Sequence, residues 1–176
     1  MRGEKSVKPV APLPFSYAEH DLGRLLLQPL TQRGAVTIGA EMAQMPPWSV
    51  IGSPPESIVS NLKTEKPGLR RFEAMLRGDL AGLIAIHHPW LHGPYLQLLA
   101  IRRPFQRMGL GLDLLKWMEA EARREQARQL WLCVSSFNAN ARVFYERFGF
   151  EETALIEKLA SDLSDEVLMR KRLYYE

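Results

Sequence analysis

Two glycines, Gly109 and Gly111, stand where an apolar segment, Tyr95 to Ile101, gives way to a run with helical spacing. Their missing side chains would let backbone N–H groups from Arg107 to Leu112 face a ligand at the positive end of a helix dipole, an arrangement that binds phosphate. Gly-x-Gly at a helix start serves packing as often as anion binding, so the spacing alone leaves both uses open. Two sharper phosphate signatures are absent. A P-loop needs Gly-Lys-Ser/Thr after its glycines, and the dinucleotide fingerprint needs a third Gly where Leu114 stands. The sole cysteine, Cys133, has apolar strand neighbours, which predict a small packed side chain and not a nucleophile.

The elements that must position this turn follow from hydrophobic period and punctuation. Leu25, Leu26, Leu27 and Leu30 read as a strand, and Thr31 then caps a helix through Ala40 and Met42 that stops at Pro46 and Pro47. Ser53-Pro54-Pro55-Glu56 predicts a capped second helix over Pro54 to Leu62, with Ser53 as cap and Glu56 completing a capping box. Arg70 to Leu76 and Leu80 to Ile86 flank Arg77-Gly78-Asp79, the signature of a hairpin. Pro89 to Gly93 reads as a further turn, and Tyr95 to Ile101 as a central strand covered on both faces. Leu110, Leu114, Met118 and Ala122 recur at every fourth position with Asp113, Lys116, Glu119 and Arg123 opposite, which makes the longest helix. Leu130 to Val134 reads as a strand, Asn138 to Arg147 as a helix ended by Gly149, and Thr153 to Leu159 with Val167 to Leu173 as a hairpin around Asp162 to Asp165. The order β-αα-βββ-α-β-α-ββ describes an α+β domain with a mixed sheet, residues 23–176. Residues 1–22 mix Lys, Pro and polar residues without a period and read as a loose arm or an added edge segment.

Composition narrows the function classes. A chain of 176 residues, 46% hydrophobic and 24% charged, supplies the core of one globular domain and excludes disordered, collagenous and disulfide-stapled classes. A net charge of +3 does not imply nucleic acid as a partner. The longest apolar stretch, Leu80 to Ile86, is too short to span a bilayer, and the first fifteen residues hold no apolar run of signal-peptide length. The expectation is a soluble, cytoplasmic protein with no membrane partner, and the lone cysteine fits a reducing compartment.

Two motifs together carry a family resemblance. Gln106-Arg107-Met108-Gly109-Leu110-Gly111 resembles the Gln/Arg-x-x-Gly-x-Gly/Ala pyrophosphate loop of the GNAT superfamily of acetyl-CoA-dependent N-acetyltransferases. Asn138, Ala141, Phe144, Tyr145, Gly149 and Phe150 match that family's second signature, Asn-x-x-Ala-x-x-Phe-Tyr-x-x-x-Gly-Phe. One helix and one strand separate the motifs, as the family requires, and the order of elements from Arg24 to Leu173 fits as well.

The resemblance implies roles residue by residue. The backbone of Leu99, Ala100 and Ile101 would pair with the pantetheine arm of acetyl-CoA like an added strand, with an amide near Leu99 polarising the acetyl carbonyl. Gln106, Arg107, Met108, Gly109, Leu110, Gly111 and Leu112 would hold the pyrophosphate. Asn138 would bond the pantetheine or a water beside it, and Tyr145 would protonate the departing thiolate. Asn138 and Tyr145, seven residues apart on one helix, share a face. The reaction implied is direct transfer to a primary amine in a ternary complex, with no metal. A homodimer is left open.

A primary amine of pKa about 10 must lose a proton before it attacks. Where relatives often place a Glu, this chain has Gln97, which can orient water but cannot take a proton at neutral pH. Glu73, His87 and His88 are the candidate bases, and because adjacent strand residues face opposite ways at most one of the two histidines faces the substrate. Trp48 falls where the family borders its acceptor pocket, and Arg102, Arg103 and Arg142 could meet the CoA 3′-phosphate. The run Arg170-Lys171-Arg172 reads as an exposed strand end. Leu132-Cys133-Val134-Ser135 departs from the Leu-Glu-Val-Arg-like strand common in ribosomal N-terminal acetyltransferases, which favours a small-molecule acceptor over a peptide N-terminus. A non-catalytic CoA-binding module is the rival from another class.

Overall fold

The computed structural model describes residues 13–175. In chain order the elements are β1 (His20–Asp21), β2 (Leu25–Pro29), α1 (Gln32–Met42), α2 (Pro55–Lys63), β3 (Leu69–Leu76), β4 (Asp79–Trp90), β5 (Gly93–Ile101), α3 (Leu110–Arg124), β6 (Gln129–Ser135), α4 (Ala139–Arg147), β7 (Glu151–Ser161) and β8 (Ser164–Arg172). They form an α+β fold around one sheet of order β1-β2-β3-β4-β5-β6-β8-β7. Every neighbouring pair is antiparallel except β5 and β6. The short edge strand β1 falls within the stretch read as a loose arm or an added edge segment, and a 3-10 turn at Arg103–Phe105, absent from that reading, precedes α3.

Helices cover both faces of the sheet. Leu83 and Ala100 lie in a cluster with Ile38, Met42 and Leu62 of α1 and α2, whereas Ile84, Ile86 and Leu96 lie in a larger cluster with Leu114 and Met118 of α3. Neighbouring strand residues point to opposite faces, and β4 and β5 read as continuous apolar runs because both faces are buried.

Local chemistry sets several element ends. Arg77 and Gly78, both with positive φ (53° and 87°), make the two-residue turn between β3 and β4 that a right-handed twist favours. Thr31 caps α1 by accepting from the Gly34 N–H at 2.9 Å. Ser53 is not the cap of α2: Pro54 takes that position in extended geometry with no side-chain cap bond, because a residue followed by proline is pushed out of the helical region. Strand β4 also runs beyond Ile86 through Pro89 to Trp90, whose ring packs on Tyr95 and Trp131 (centroids 4.9 and 5.5 Å away), so the turn shrinks to Leu91 and His92. The last hairpin turns at Asp162 and Leu163 alone, which makes both of its strands longer than their composition suggests.

Residues 1–12 of the expected arm lie outside the described residues. The remainder packs in part. Phe15 is fully buried, its N–H donates to the Glu121 carboxylate at 3.0 Å and its ring meets Trp117 edge-on at 5.7 Å. The basic run near the C-terminus is likewise engaged: Lys171 pairs with Glu119 at 2.5 Å and lies over the Phe148 ring, and Arg170 stacks on Trp131. Only Arg172 of the three is exposed.

Glu73 of β3 is 3% exposed. It accepts from Gln28 Nε2 at 2.6 Å, Thr31 Oγ1 at 3.0 Å and the Thr31 N–H at 3.2 Å. Gly34 makes the room, since a Cβ there would sit 1.9 Å from the Glu73 carboxylate. The carboxylate therefore ties the start of α1 to β2 and β3. Glu73→Ala leaves these donors unpaired and is expected to lower stability by about 2–4 kcal/mol, at about 1–3 kcal/mol for a buried donor left unsatisfied. In a chain of this size that corresponds to a fall in Tm of roughly 10 °C. Urea denaturation of the variant checks this, and a change below about 0.5 kcal/mol, the range of ordinary surface substitutions, refutes it.

Candidate active site

Strands β5 and β6 pair only at Tyr95 with Trp131 and Leu96 with Leu132. Beyond that point they part. The β4–β5 register shifts between Ala85, which faces Leu98, and Ile86, which faces Leu96, so Gln97 has no partner and forms a bulge at the point of divergence. A cavity of about 1000 Å³ opens there. Its floor is the β5 segment Leu96 to Leu99 with Val134 and Ser135 of β6, and α4 supplies Phe144 and Tyr145, with Asn138 just before its first residue, as one wall. The start of α3 closes one end, and Trp48 and Ile51 from the α1–α2 connection border the cavity as well.

The α3 end is built for an anion. Arg107 and Gly109 both hold positive φ (61° and 77°), and Gly109 occupies the N-cap position with no side chain to satisfy the first-turn amides. Gly111 is small for another reason, since a Cβ there would lie 3.3 Å from the Phe144 ring. Gln106 donates to the Ile101 carbonyl at 2.9 Å and so ties the loop to the end of β5. Asp113, whose charge in the first turn would oppose an anion, is paired with Arg24 at 2.6 Å.

Of the residues expected along the cofactor, Leu99, Ile101, Gln106, Arg107, Gly109, Leu110, Gly111, Leu112, Asn138 and Tyr145 line the cavity. Ala100 faces the α1–α2 cluster instead, as strand alternation requires, and Met108 is exposed and not among the lining residues. Asn138 caps α4 by accepting from the Ala141 N–H at 3.3 Å. Burial pushes the Tyr145 hydroxyl above its ordinary pKa, so it stays protonated across the neutral range.

The three arginines expected near the CoA phosphate are committed elsewhere. Arg102 forks onto Glu41 (Nη2 to Oε1 2.6 Å), Arg142 pairs with Glu152, and Arg103 donates to the Gln44 carbonyl at 2.6 Å. Arg107 and Arg147 line the cavity and have no hydrogen bond or ion pair among the described residues.

None of the three candidate bases lines the cavity. Glu73 is held at the start of α1, as described. The two histidines do point to opposite faces: His87 rests against Gly68 with its Nδ1 buried and unpartnered among the described residues, while His88 binds Glu125 at 2.7 Å and packs on Phe15. The carboxylate that does line the cavity is Glu166 of β8, 6% exposed and accepting from Ser135 Oγ at 2.7 Å. Burial raises its pKa above the ordinary carboxylate range, against the opposing effect of the Ser135 bond. The sequence reading missed it because Ser164-Asp165-Glu166 resembles turn composition. Cys133 is half-buried on the cavity side, not packed in the core, and its thiol pKa is raised first by burial and then by the nearby Glu166. Tyr95 lines the cavity beside Cys133, and burial raises its phenol pKa and so keeps it neutral. Among the described residues no cluster of His, Cys, Asp and Glu could hold a metal, and no helix is long and apolar enough to cross a membrane.

Comparison with known proteins agrees with this geometry. An uncharacterized N-acetyltransferase encoded in the pepI 3′ region of Lactobacillus delbrueckii subsp. lactis is 32% identical over 85 residues, 47% of this chain and 48% of that protein. The chain thus aligns with about half the length of this curated relative. The crystal structure of nourseothricin acetyltransferase superposes with a TM-score of 0.55 at 29% identity, over 60% of this chain and 66% of the other. The ribosomal-protein-S18-alanine N-acetyltransferase of Escherichia coli shares the fold, with a TM-score of 0.65 at 22% identity over 86% of this chain and 96% of the other. The family model for the acetyltransferase (GNAT) family matches residues 40–150, which hold the strand splay, the Gly109–Gly111 turn and α4, and the chain belongs to that family.

Proposed function

We propose that the protein transfers the acetyl group of acetyl-CoA directly to the primary amine of a small molecule. The observation that carries this reading is one continuous cavity. It joins an uncapped helix N-terminus at Gly109, an unpaired strand edge from Gln97 to Ile101 and a neutral phenol at Tyr145. These are, in order, a site for pyrophosphate, a ladder for the pantetheine amides and a proton donor for the thiolate. Arg107 and Arg147 line the cavity with no partner among the described residues, and a phosphate there would find a charge-assisted one.

Direct attack is favoured over an acyl-cysteine. The thiolate is the nucleophilic form, and burial beside Glu166 disfavours it at Cys133. The small-molecule acceptor is supported by the strand Leu132-Cys133-Val134-Ser135 and by the neighbour named for nourseothricin. Tyr145 can donate although its pKa is raised, because the surroundings that penalise a phenolate penalise the departing thiolate as well.

Three measurements test this reading. Gly109→Val forces a branched side chain into a left-handed conformation beside Arg24. It is expected to weaken acetyl-CoA binding by at least about 100-fold, the roughly 3 kcal/mol of lost charge-assisted bonds. Calorimetry on the folded variant that gives the parental Kd overturns the phosphate assignment. Tyr145→Phe is expected to lower kcat by roughly 10²-fold with acetyl-CoA affinity unchanged, the low end for a lost proton donor. A kcat within about twofold of the parent, where chemistry limits the rate, removes the hydroxyl from the mechanism. Cys133→Ala is expected to turn over at a near-parental rate in a thiol-release assay, and an acetylated Cys133 peptide in the parent together with an inactive variant refutes direct transfer.

A further inference from the structure

We propose that Glu166 is the catalytic base and the docking point for the acceptor nitrogen, so that the enzyme takes its amine as the ammonium ion. The inference rests on the acetyl-transfer reading and adds to it the acceptor's charge state and the group that removes its proton.

Four observations converge on this residue. First, Glu166 is the one carboxylate among the described residues that line the cavity, and no histidine lines it. Second, Ser135 Oγ fixes the side chain through one oxygen at 2.7 Å, and strand pairing sets Glu166 directly opposite Ser135, so the position is held by backbone register as well. Third, no ion pair or further hydrogen bond from the described residues reaches the carboxylate. A buried carboxylate without a cation is costly unless a ligand supplies one. Fourth, the neighbours carry no positive charge: Tyr95 of β5, Cys133 and Ser135 of β6 and Ile156 opposite on β7 are neutral or apolar, as is Leu168, next on the same face of β8. The cavity's arginines, Arg107 and Arg147, belong to the start of α3 and the end of α4.

Burial supports the assignment from the acid–base side, since it lifts the Glu166 pKa toward the working pH, where a base transfers protons best. The steps balance. The ammonium gives one proton to Glu166, and the freed nitrogen lone pair forms the N–C bond at the thioester carbonyl while the carbonyl π electrons move to oxygen. Collapse of that adduct breaks the C–S bond, the thiolate takes the Tyr145 proton, and the nitrogen's surplus proton restores the phenol. Glu166 then releases its proton to water. One amide, one thiol and one proton result.

Glu166→Gln tests the assignment, because its amide oxygen still accepts from Ser135 while its charge and basicity are gone. Two probes are used with acetyl-CoA in a thiol-release assay at pH 7: n-butylamine, which is cationic, and 2,2,2-trifluoroethylamine, which is largely neutral. The expected result is a fall in kcat/KM of about 10²-fold to 10³-fold for butylamine and less than about threefold for trifluoroethylamine, with the Kd of acetyl-CoA unchanged. The parent's activity is lost as pH falls through the raised carboxyl pKa, and the variant lacks that fall. Glu166→Asp, which keeps the charge, retains the preference for the cationic probe and serves if the Gln variant does not fold. Equal losses on both amines, or none, overturn the proposal. If the parent binds acetyl-CoA but releases no thiol with either amine, the acetyl-transfer reading fails on its own, and saturation-transfer NMR with butylammonium then decides: binding to the parent and not to Glu166→Gln supports the ammonium site, and equal or absent binding overturns it.

Discussion

Everything distinctive about this molecule depends on where two parallel strands stop pairing. Strands β5 and β6 share two register pairs, at Tyr95 and Leu96, and then diverge. A strand edge left inside a protein carries donors and acceptors that need partners. Had the pairing continued, the sheet would have closed over its own centre and left no space for a ligand. The bulge at Gln97 re-aims β5 at that point, and the helices above and below hold the wedge open. On one side α3 packs Leu114 and Met118 against the sheet; on the other, Glu73 fixes the start of α1 so that its C-terminal connection brings Trp48 to the rim.

Charge is distributed along the wedge with the same economy. Arg102 and Arg142 neutralise Glu41 and Glu152, and Arg24 neutralises Asp113 beside the α3 N-terminus. What remains uncompensated among the described residues lining the cavity is Arg107, Arg147 and Glu166. In the proposed reaction the arginines meet a polyanion and the carboxylate a cation, and the uncharged stretch of lining, Leu99, Tyr145 and Val134 among it, faces the bonds that are exchanged. A low-polarity stretch of this kind strengthens the effect of each fixed dipole on developing charge.

How far the sequence alone could be read depended on whether a residue's role was local. Thr31 as a cap, Arg77-Gly78 as a turn and the every-fourth-residue stripe of α3 are set by neighbours within a few positions, and they came out of pattern and propensity. The glycine pair and the Asn138–Tyr145 helix were legible for the same reason. Glu73, His87 and Glu166 were not, because which face a strand residue takes depends on register with strands far away in the chain. Glu73 has a strand context as plausible for a base as that of Glu166, and only the β2–β3 pairing shows that Gln28 and Thr31 occupy it. Glu166 was hidden besides by the shortness of its hairpin turn. The arginines were no easier to read: whether a guanidinium is free or paired is decided by groups 10 to 61 residues distant, the Glu152 and Glu41 carboxylates and the Gln44 carbonyl.

Helix α4 buries none of its nine residues completely, and it holds to the body through partly buried Ala141, Phe144, Tyr145 and Phe148. It is also short, and short helices have little stability of their own. The wall of the wedge is thus held by fewer buried residues than α3, which buries seven, and low burial is where local opening concentrates. A bound pantetheine arm would be clasped by a segment that can lift away without disturbing the sheet. The time such a molecule spends in the wedge would then be set by the fraying of one helix, and amide exchange along residues 139–147 would serve as its clock.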